Sequence, residues 1–487
     1  MNDLQRAAWV VIAVTLSVGC DSSAEVFDEP ETDGGRDAAI ATDAASALDG
    51  GRDAATPDAG GDAGEPDAGV EPGLLLAWSE AALPFPVEEY PRGTCRFPQR
   101  PVAVHDDEGG VFVACVGAEG VFVQRVLADG TLGWSAPILA LAGDVSIAGT
   151  PGFEGTLYAR PSSDGPLLVA TVDFEARLQR LARDGTLATT DGVATGMDVG
   201  RLYADDLDGT WLVGSASTGV LHAARVDSTP SVVTGPLELA DTFHAVRAAR
   251  DGSGGLYVLY QSTYRSGVGG PLMLTRLHDD GSLWSTPVTV TTTARDFADV
   301  HLVSDATGVW AAWTSVAPLT TEAVWVARYL SDGTLMGSAM ELSRGGRPVP
   351  PVLVGDGSGR AWVFVTSSVH TVFALNPDGA VTSTTWAPER TALIHDAVVD
   401  RSTGDLILLT ESHYQGLYAQ RVAPDGTPRI AGLGVTILEP SADGYLSVPS
   451  KYLVPLTDGA HAVVYVTEDG GWRAQVERIE LTGGSGT

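Results

Sequence analysis

The chain has 487 residues, with 62 acidic against 29 basic side chains and a net charge of −33. That balance excludes a nucleic-acid partner and disfavours anionic lipid surfaces, because phosphate contacts draw their affinity from Lys and Arg. The length suits roughly two to four average domains, or one large repeat domain with appendages.

The first element is an apolar run from Ala7 to Val18, behind Arg6 and followed by Gly19 and Cys20. It is too short to cross about 30 Å of hydrocarbon as a helix, and it reads as a secretory signal. Leu16-Ser17-Val18-Gly19-Cys20 resembles a bacterial lipobox. The resemblance implies cleavage between Gly19 and Cys20, and an acyl anchor (diacylglycerol and palmitate) on Cys20. An ordinary cleaved signal with a chance cysteine is the alternative.

Residues 1–19 are then the signal peptide, and 20–73 form a linker of Asp, Ala, Gly, Pro and Glu. Asp-Gly-Gly-Arg-Asp-Ala-Ala occurs in it at both 33–39 and 49–55. Between 21 and 72 there are fifteen acids against Arg36 and Arg52, so −13 of the net −33 lies here. A segment with so little to bury cannot offset the entropy of ordering, and is expected to be a disordered, self-repelling stalk. With Cys20 acylated, Cys95 and Cys115 remain in an exported chain. A disulfide is their natural pairing, with two isolated thiols as the alternative.

From residue 74 the chain repeats. Arg, an apolar residue, two more residues and Asp-Gly recur at Arg125, Arg180, Arg276, Arg328 and Arg421, with degenerate copies at Arg225, Ala374 and Arg478. A second turn, Asp-x-x-Gly, begins at Asp106, Asp206, Asp305 and Asp356. In the clearest copy, 245–290, four β-rich runs are separated by these turns. Starts fall near 101, 157, 201, 246, 300, 351, 396 and 450. A period of about fifty residues with four strands per copy predicts an all-β fold, a single β-propeller of eight four-stranded blades over 74–482, with seven as the rival count. Residues 483–487 are expected to be a flexible tail. The last copy lacks a fourth strand, and Leu74-Leu-Leu-Ala-Trp-Ser79 matches the fourth-strand segment of other copies. Residues 74–80 are therefore expected to complete the last blade and close the ring.

On these repeats the chain resembles bacterial exported lipoproteins with NHL-like or sialidase-like propellers. A sialidase Asp box reads Ser-x-Asp-x-Gly-x-x-Trp, whereas Ser304 to Trp310 has the residue types at another spacing, so the sialidase chemistry does not carry over. The arginines share one register and are expected to make one structural contact per blade, to a turn aspartate. Asp205 to Gly209 lacks the remaining calcium ligands, with Ser217 in place of the bidentate Glu. Histidines are scattered, no zinc spacing occurs, and nucleophile elbows and phosphate loops are lacking. No metal, cofactor or catalytic residue is assigned.

Strand alternation places first and third turns on one face of the disc and the second loops on the other. The second loops vary in sequence, and variable loops on a rigid scaffold are where binding is built. That face offers Tyr264, Arg265, His370, His413, Tyr414 and Trp472. The expected function is a membrane-anchored exported lipoprotein, monomeric, held to a bacterial membrane facing the periplasm or at the cell surface. Its propeller acts as a binding or scaffolding module for a protein or glycan. The alternative is a glycan-active enzyme, a sialidase-like hydrolase or lyase. Its carboxylates would come from Asp173, Glu175, Glu411 and Glu468, which lie in different repeats, so the enzyme is disfavoured.

Overall fold

The second strand of each repeat is an unbroken apolar run because both of its faces are covered. Leu167–Val172, Leu256–Gln261, Ala361–Thr366 and Leu406–Ser412 are buried at every position. Alternate side chains enter different cores: Trp211 and Val213 pack toward the following repeat, and Leu212 toward the preceding one.

The computed structural model describes residues 73–78, 81–82, 101–117, 119–145, 157–162, 164–204, 209–215, 219–227, 229–240, 245–262, 264–265, 268–284, 286–292, 300–305, 307–316, 322–344, 351–366, 369–386, 392–412, 416–430, 432–439, 451–467 and 473–482. All fall within one unit, Pro66–Thr487. The signal segment, Cys20, nearly all of the linker, Cys95, the tail, His413, Tyr414 and Trp472 lie outside the described residues.

The fold is an all-β propeller of eight antiparallel four-stranded blades. Blade 1 comprises Val102–His105, Val111–Gly117, Gly120–Val126 and Ile138–Ala142. Blade 2 comprises Leu157–Arg160, Leu167–Val172, Glu175–Arg180 and Val193–Ala194. Blades 3 to 7 repeat the plan with first strands Val199–Ala204, Ala245–Arg250, Val300–Asp305, Val352–Gly355 and Leu393–Val399. Blade 8 opens with Lys451–Pro455, His461–Thr467 and Arg473–Thr482. Its fourth strand is Gly73–Leu76, paired antiparallel with Arg473–Thr482, so the two ends of the repeat region close one sheet as expected. Closure removes the open edge that Arg473–Thr482 would otherwise present.

First strands contact one another from blade to blade around the whole ring and line its centre. The apolar core is divided into eight clusters, one between each adjacent pair of blades, the last formed by blades 8 and 1 with Trp78. This is sheet-on-sheet packing repeated around an axis. Fourth strands are outermost and half exposed, as in Val381–Trp386.

The recurring Asp-Gly is a four-residue turn. Gly130 N donates to Leu127 O at 2.9 Å, and Asp129 accepts from Thr131 N at 2.9 Å. Gly130 has φ +82, and a Cβ there would stand 3.0 Å from the Trp78 ring of the neighbouring blade. Gly333 repeats this against Trp284. Glycine thus serves both the left-handed backbone and the blade-to-blade approach.

Candidate functional site

The repeated arginine is a staple. Arg125 donates to Asp106 at 2.7 Å, Arg276 to Asp251 at 2.8 Å, and Arg328 to Asp305 at 2.9 Å. Register places Arg125, Arg225, Arg276 and Arg328 opposite Phe112, Trp211, Tyr257 and Trp310 of the second strand, and Arg328 lies 5.2 Å from the centroid of Trp310. The free end reaches the next blade: Arg328 Nη1 donates to Gly359 O at 2.9 Å and Arg276 Nη1 to Ser331 O at 2.9 Å. The ring nitrogens do likewise, Trp211 to Gly254 O at 2.9 Å and Trp362 to Pro424 O at 2.8 Å. One guanidinium therefore ties its own turn to its neighbour, and the expected structural role is found.

Among the described residues, blades 6 and 7 break the pattern. In blade 6 the Arg position is Ala374, so Asp356 has no arginine; its Oδ1 accepts from Ser358 N and Oγ at 2.8 and 2.7 Å. In blade 7 an inserted turn residue brings in Asp405, which takes Arg421 at 2.6 Å and Arg429 at 3.1 Å. Asp400, in the repeat's own position, binds Ser402 and Thr403 instead. Asp356 and Asp400 line a cavity of about 800 Å³ where the first strands of blades 6, 7, 8 and 1 end. His105, Asp458 and His461 join them. Burial lowers the pKa of His461 to about 4, against the pull of Asp400 and Asp458.

On the opposite face, the blade 2 hairpin turns through Asp173 and Phe174 alone, with Val172 paired to Glu175. Both residues have positive φ, 51° and 65°. A two-residue turn of this kind calls for Asn-Gly or Asp-Gly, because a Cβ crowds the backbone there. Phe174 is nonetheless 76% exposed. The connection leaving blade 1 runs beside it, Asp173 N donating to Asp144 O at 2.9 Å. In blade 4 the second loop forms a small ribbon, Tyr264–Arg265 paired with Val268–Gly269. That ribbon carries Tyr264 and Arg265.

His370 is placed differently from its expectation as a loop residue. It is the first residue of the strand His370–Leu375 and 3% exposed, with its ring 5.3 Å from Trp386. Burial lowers its pKa to about 4. It underlies the loop face without offering it a free imidazole.

Glu411 is equally enclosed. His395 Nε2 lies 2.9 Å from its carboxylate and Lys451 of blade 8 donates to the same oxygen. Burial alone would raise its pKa; the bonds from His395 and Lys451 outweigh burial and hold it below the usual range. His395 is the extra residue of a bulge between Ile394 and Asp396. Asp396 is half-buried, accepts from Leu453 N at 2.7 Å, and desolvation raises its pKa to about 6. Asp173 and Glu175 belong to blade 2, three blades from Glu411, so these carboxylates are not brought together.

Cys115 carries a free thiol in the second strand of blade 1, packed against the blade 8 core with Tyr452, and burial raises its pKa well above the ordinary value. The partner expected for it, Cys95, lies outside the described residues.

No protein-family model matches the chain, and no curated protein matches it. Among solved structures it is similar to a puromycin hydrolase, at 15% identity and a TM-score of 0.42, over 76% of this chain and 59% of that one. A puromycin-hydrolyzing peptidase of Mycobacterium tuberculosis matches at 15% and 0.43, over 79% and 62%. A Dyadobacter fermentans protein of unknown function matches at 11% and 0.38, over 84% and 99%. The chain spans less than two thirds of the two hydrolytic proteins. Likeness at this level assigns no chemistry.

Proposed function

We propose that this is an exported, lipid-anchored bacterial protein whose propeller is a binding module, taking a protein or glycan partner on the second-loop face. The observation that carries the reading is Phe174: a bulky, exposed aromatic held in a left-handed turn that folding alone would give to glycine. Strain that the scaffold tolerates, at a position presenting an aromatic ring to solvent, points to a contact residue. Tyr264 and Arg265 stand on the same face, and the arginine staples leave the scaffold rigid beneath it. The apolar run ending at Gly19-Cys20 supports the anchor.

Arrays of glycans and exported proteins, probed with the full chain and with its Phe174→Ser variant, test the binding reading. Capture of a partner by the parent and its loss in the variant is the expected result; equal capture by both overturns the assignment of the face. Labelled fatty acid should enter the parent and not Cys20→Ala, and incorporation into the variant would sink the anchor.

A further inference from the structure

Among the described residues the staple has two exceptions, and the exceptions are neighbours. Asp356 and Asp400 occupy the positions from which other blades hold their arginine, yet one has lost that partner to Ala374 and the other to Asp405. Oδ2 of Asp356 accepts no hydrogen bond among the described residues. Both open onto the turn-face end of the central channel, the cavity of about 800 Å³. Asp458 is matched there by Arg478 at 2.5 Å, so Asp356 and Asp400 against Arg401 leave the cavity net negative.

His461 supplies an independent sign. It is 2% exposed, it lines the cavity, and its Nδ1 has no hydrogen-bond partner among the described residues. A buried polar atom without a partner is costly in a folded protein and marks a place where a ligand group completes the bonding. Between the polar groups the wall is aliphatic, from Val354, Val398, Pro455 and Leu456. Carboxylates set among aliphatic walls match a cation on an alkyl stem. A bare metal ion fits poorly: the cavity is far larger than an ion, and no group of three metal-ligating side chains occurs among the described residues.

We propose that the turn-face mouth of the central channel binds an alkylammonium group, such as a lysine side chain of a partner or a free diamine, with Asp356 and Asp400 supplying the charge and His461 a hydrogen bond. This site lies on the face opposite Phe174 and is independent of the function proposed for that face.

Calorimetric titration of the full chain at low ionic strength, with 1,5-diaminopentane and separately with a capped Gly-Lys-Gly peptide, tests it. At least one should bind, N-acetylation of the amine should abolish binding, and Asp356→Asn with Asp400→Asn should weaken it roughly tenfold or more. Asn keeps an oxygen for the turn hydrogen bonds, and Asp280→Asn in an exposed turn serves as the unaffected control. Tighter binding of the peptide names a protein partner as the source, and tighter binding of the diamine a free metabolite. Should the double variant unfold, histidine ring signals of the parent decide: His461 should shift on titration while His370 stays fixed. No binding up to about 10 mM, unchanged binding by the folded double variant, or displacement of the amine by stoichiometric Ca²⁺ would overturn the proposal.

Discussion

Arg478 of blade 8 donates at 2.7 Å to the main-chain carbonyl of Gly109 in blade 1. The same residue holds Asp458 of its own turn at 2.5 Å, and its guanidinium lies 5.8 Å from the Trp78 ring centroid. The contact by which Arg276 and Arg328 reach a carbonyl of the next blade thus also joins the last blade to the first. In a ring, a lost staple loosens an interface that both neighbours need.

The staples differ in burial, and stability should follow burial over sequence position. Asp305 and Arg328 are 4% and 2% exposed in their side chains, whereas Asp164, partner of Arg180, is 71% exposed. Asp305→Ala leaves a buried guanidinium without its carboxylate and should cost about 3–5 kcal/mol. Asp164→Ala removes a solvent-screened partner and should cost no more than about 1 kcal/mol. Urea midpoints of the two variants check the difference, and equal shifts would refute it.

Much of this architecture is legible in the sequence because it is periodic. Predicted starts at 157, 201, 246 and 300 compare with first strands opening at Leu157, Val199, Ala245 and Val300. Asp-Gly, the preceding Arg and the apolar second strand recur from copy to copy around the ring. The site features are the departures from that copying. Asp405 displaces Asp400 only through an inserted residue. Glu411 and Lys451 are forty residues apart and meet only across a blade interface. Phe174 escapes notice because Asp-Phe carries no turn signature; its left-handed backbone is imposed by the pairing of Val172 with Glu175. His370 reads as a loop residue, and its burial depends on Trp386, which pairs with it across the strand.

Cys115 should be inert in the folded chain. Burial disfavours its thiolate, and the thiolate is the reactive form. Ellman's reagent at pH 8 should detect no Cys115 thiol in the native protein and one after unfolding in urea. Rapid native labelling, or a peptide map linking Cys115 to Cys95 without reductant, would contradict the free, half-buried thiol.

Acid should unfold the propeller earlier than its many surface carboxylates suggest. His370 and His461 have pKa values lowered by burial to about 4, against 6.5 for a free imidazole. Between these values the unfolded chain binds protons that the folded chain refuses. The stability due to neutral burial is therefore complete above about pH 6.5 and lost as pH falls toward 4, on the order of 2–3 kcal/mol for each group. Asp396 acts in the opposite sense. Its folded pKa is raised to about 6 from 3.8, so its contribution is full in acid, declines as pH rises through 6, and offsets part of the loss between pH 6 and 4. Urea midpoints should fall from pH 7 to pH 4.5, and less steeply in His370→Gln and His461→Gln. A profile flat over that range, or unchanged in both variants, would rule this out.

Phe174 sets stability against contact, and the two can be separated. With Asp173 at φ 51 and Phe174 at φ 65, both turn residues occupy the left-handed region, where a Cβ costs roughly 1–2 kcal/mol per residue. Phe174→Gly leaves Asp-Gly, the pair such a two-residue turn prefers, and removes a ring that is 76% exposed and so contributes little packing. The greater freedom of glycine in the unfolded chain takes back part of the gain. The variant should therefore be more stable than its parent by about 1 kcal/mol, read as a higher urea midpoint with an unchanged slope. A residue kept only for folding would not be improved by its removal. A lower midpoint would mean that the ring packs against the blade 1 connection, and the strain argument for a contact surface would fall with it.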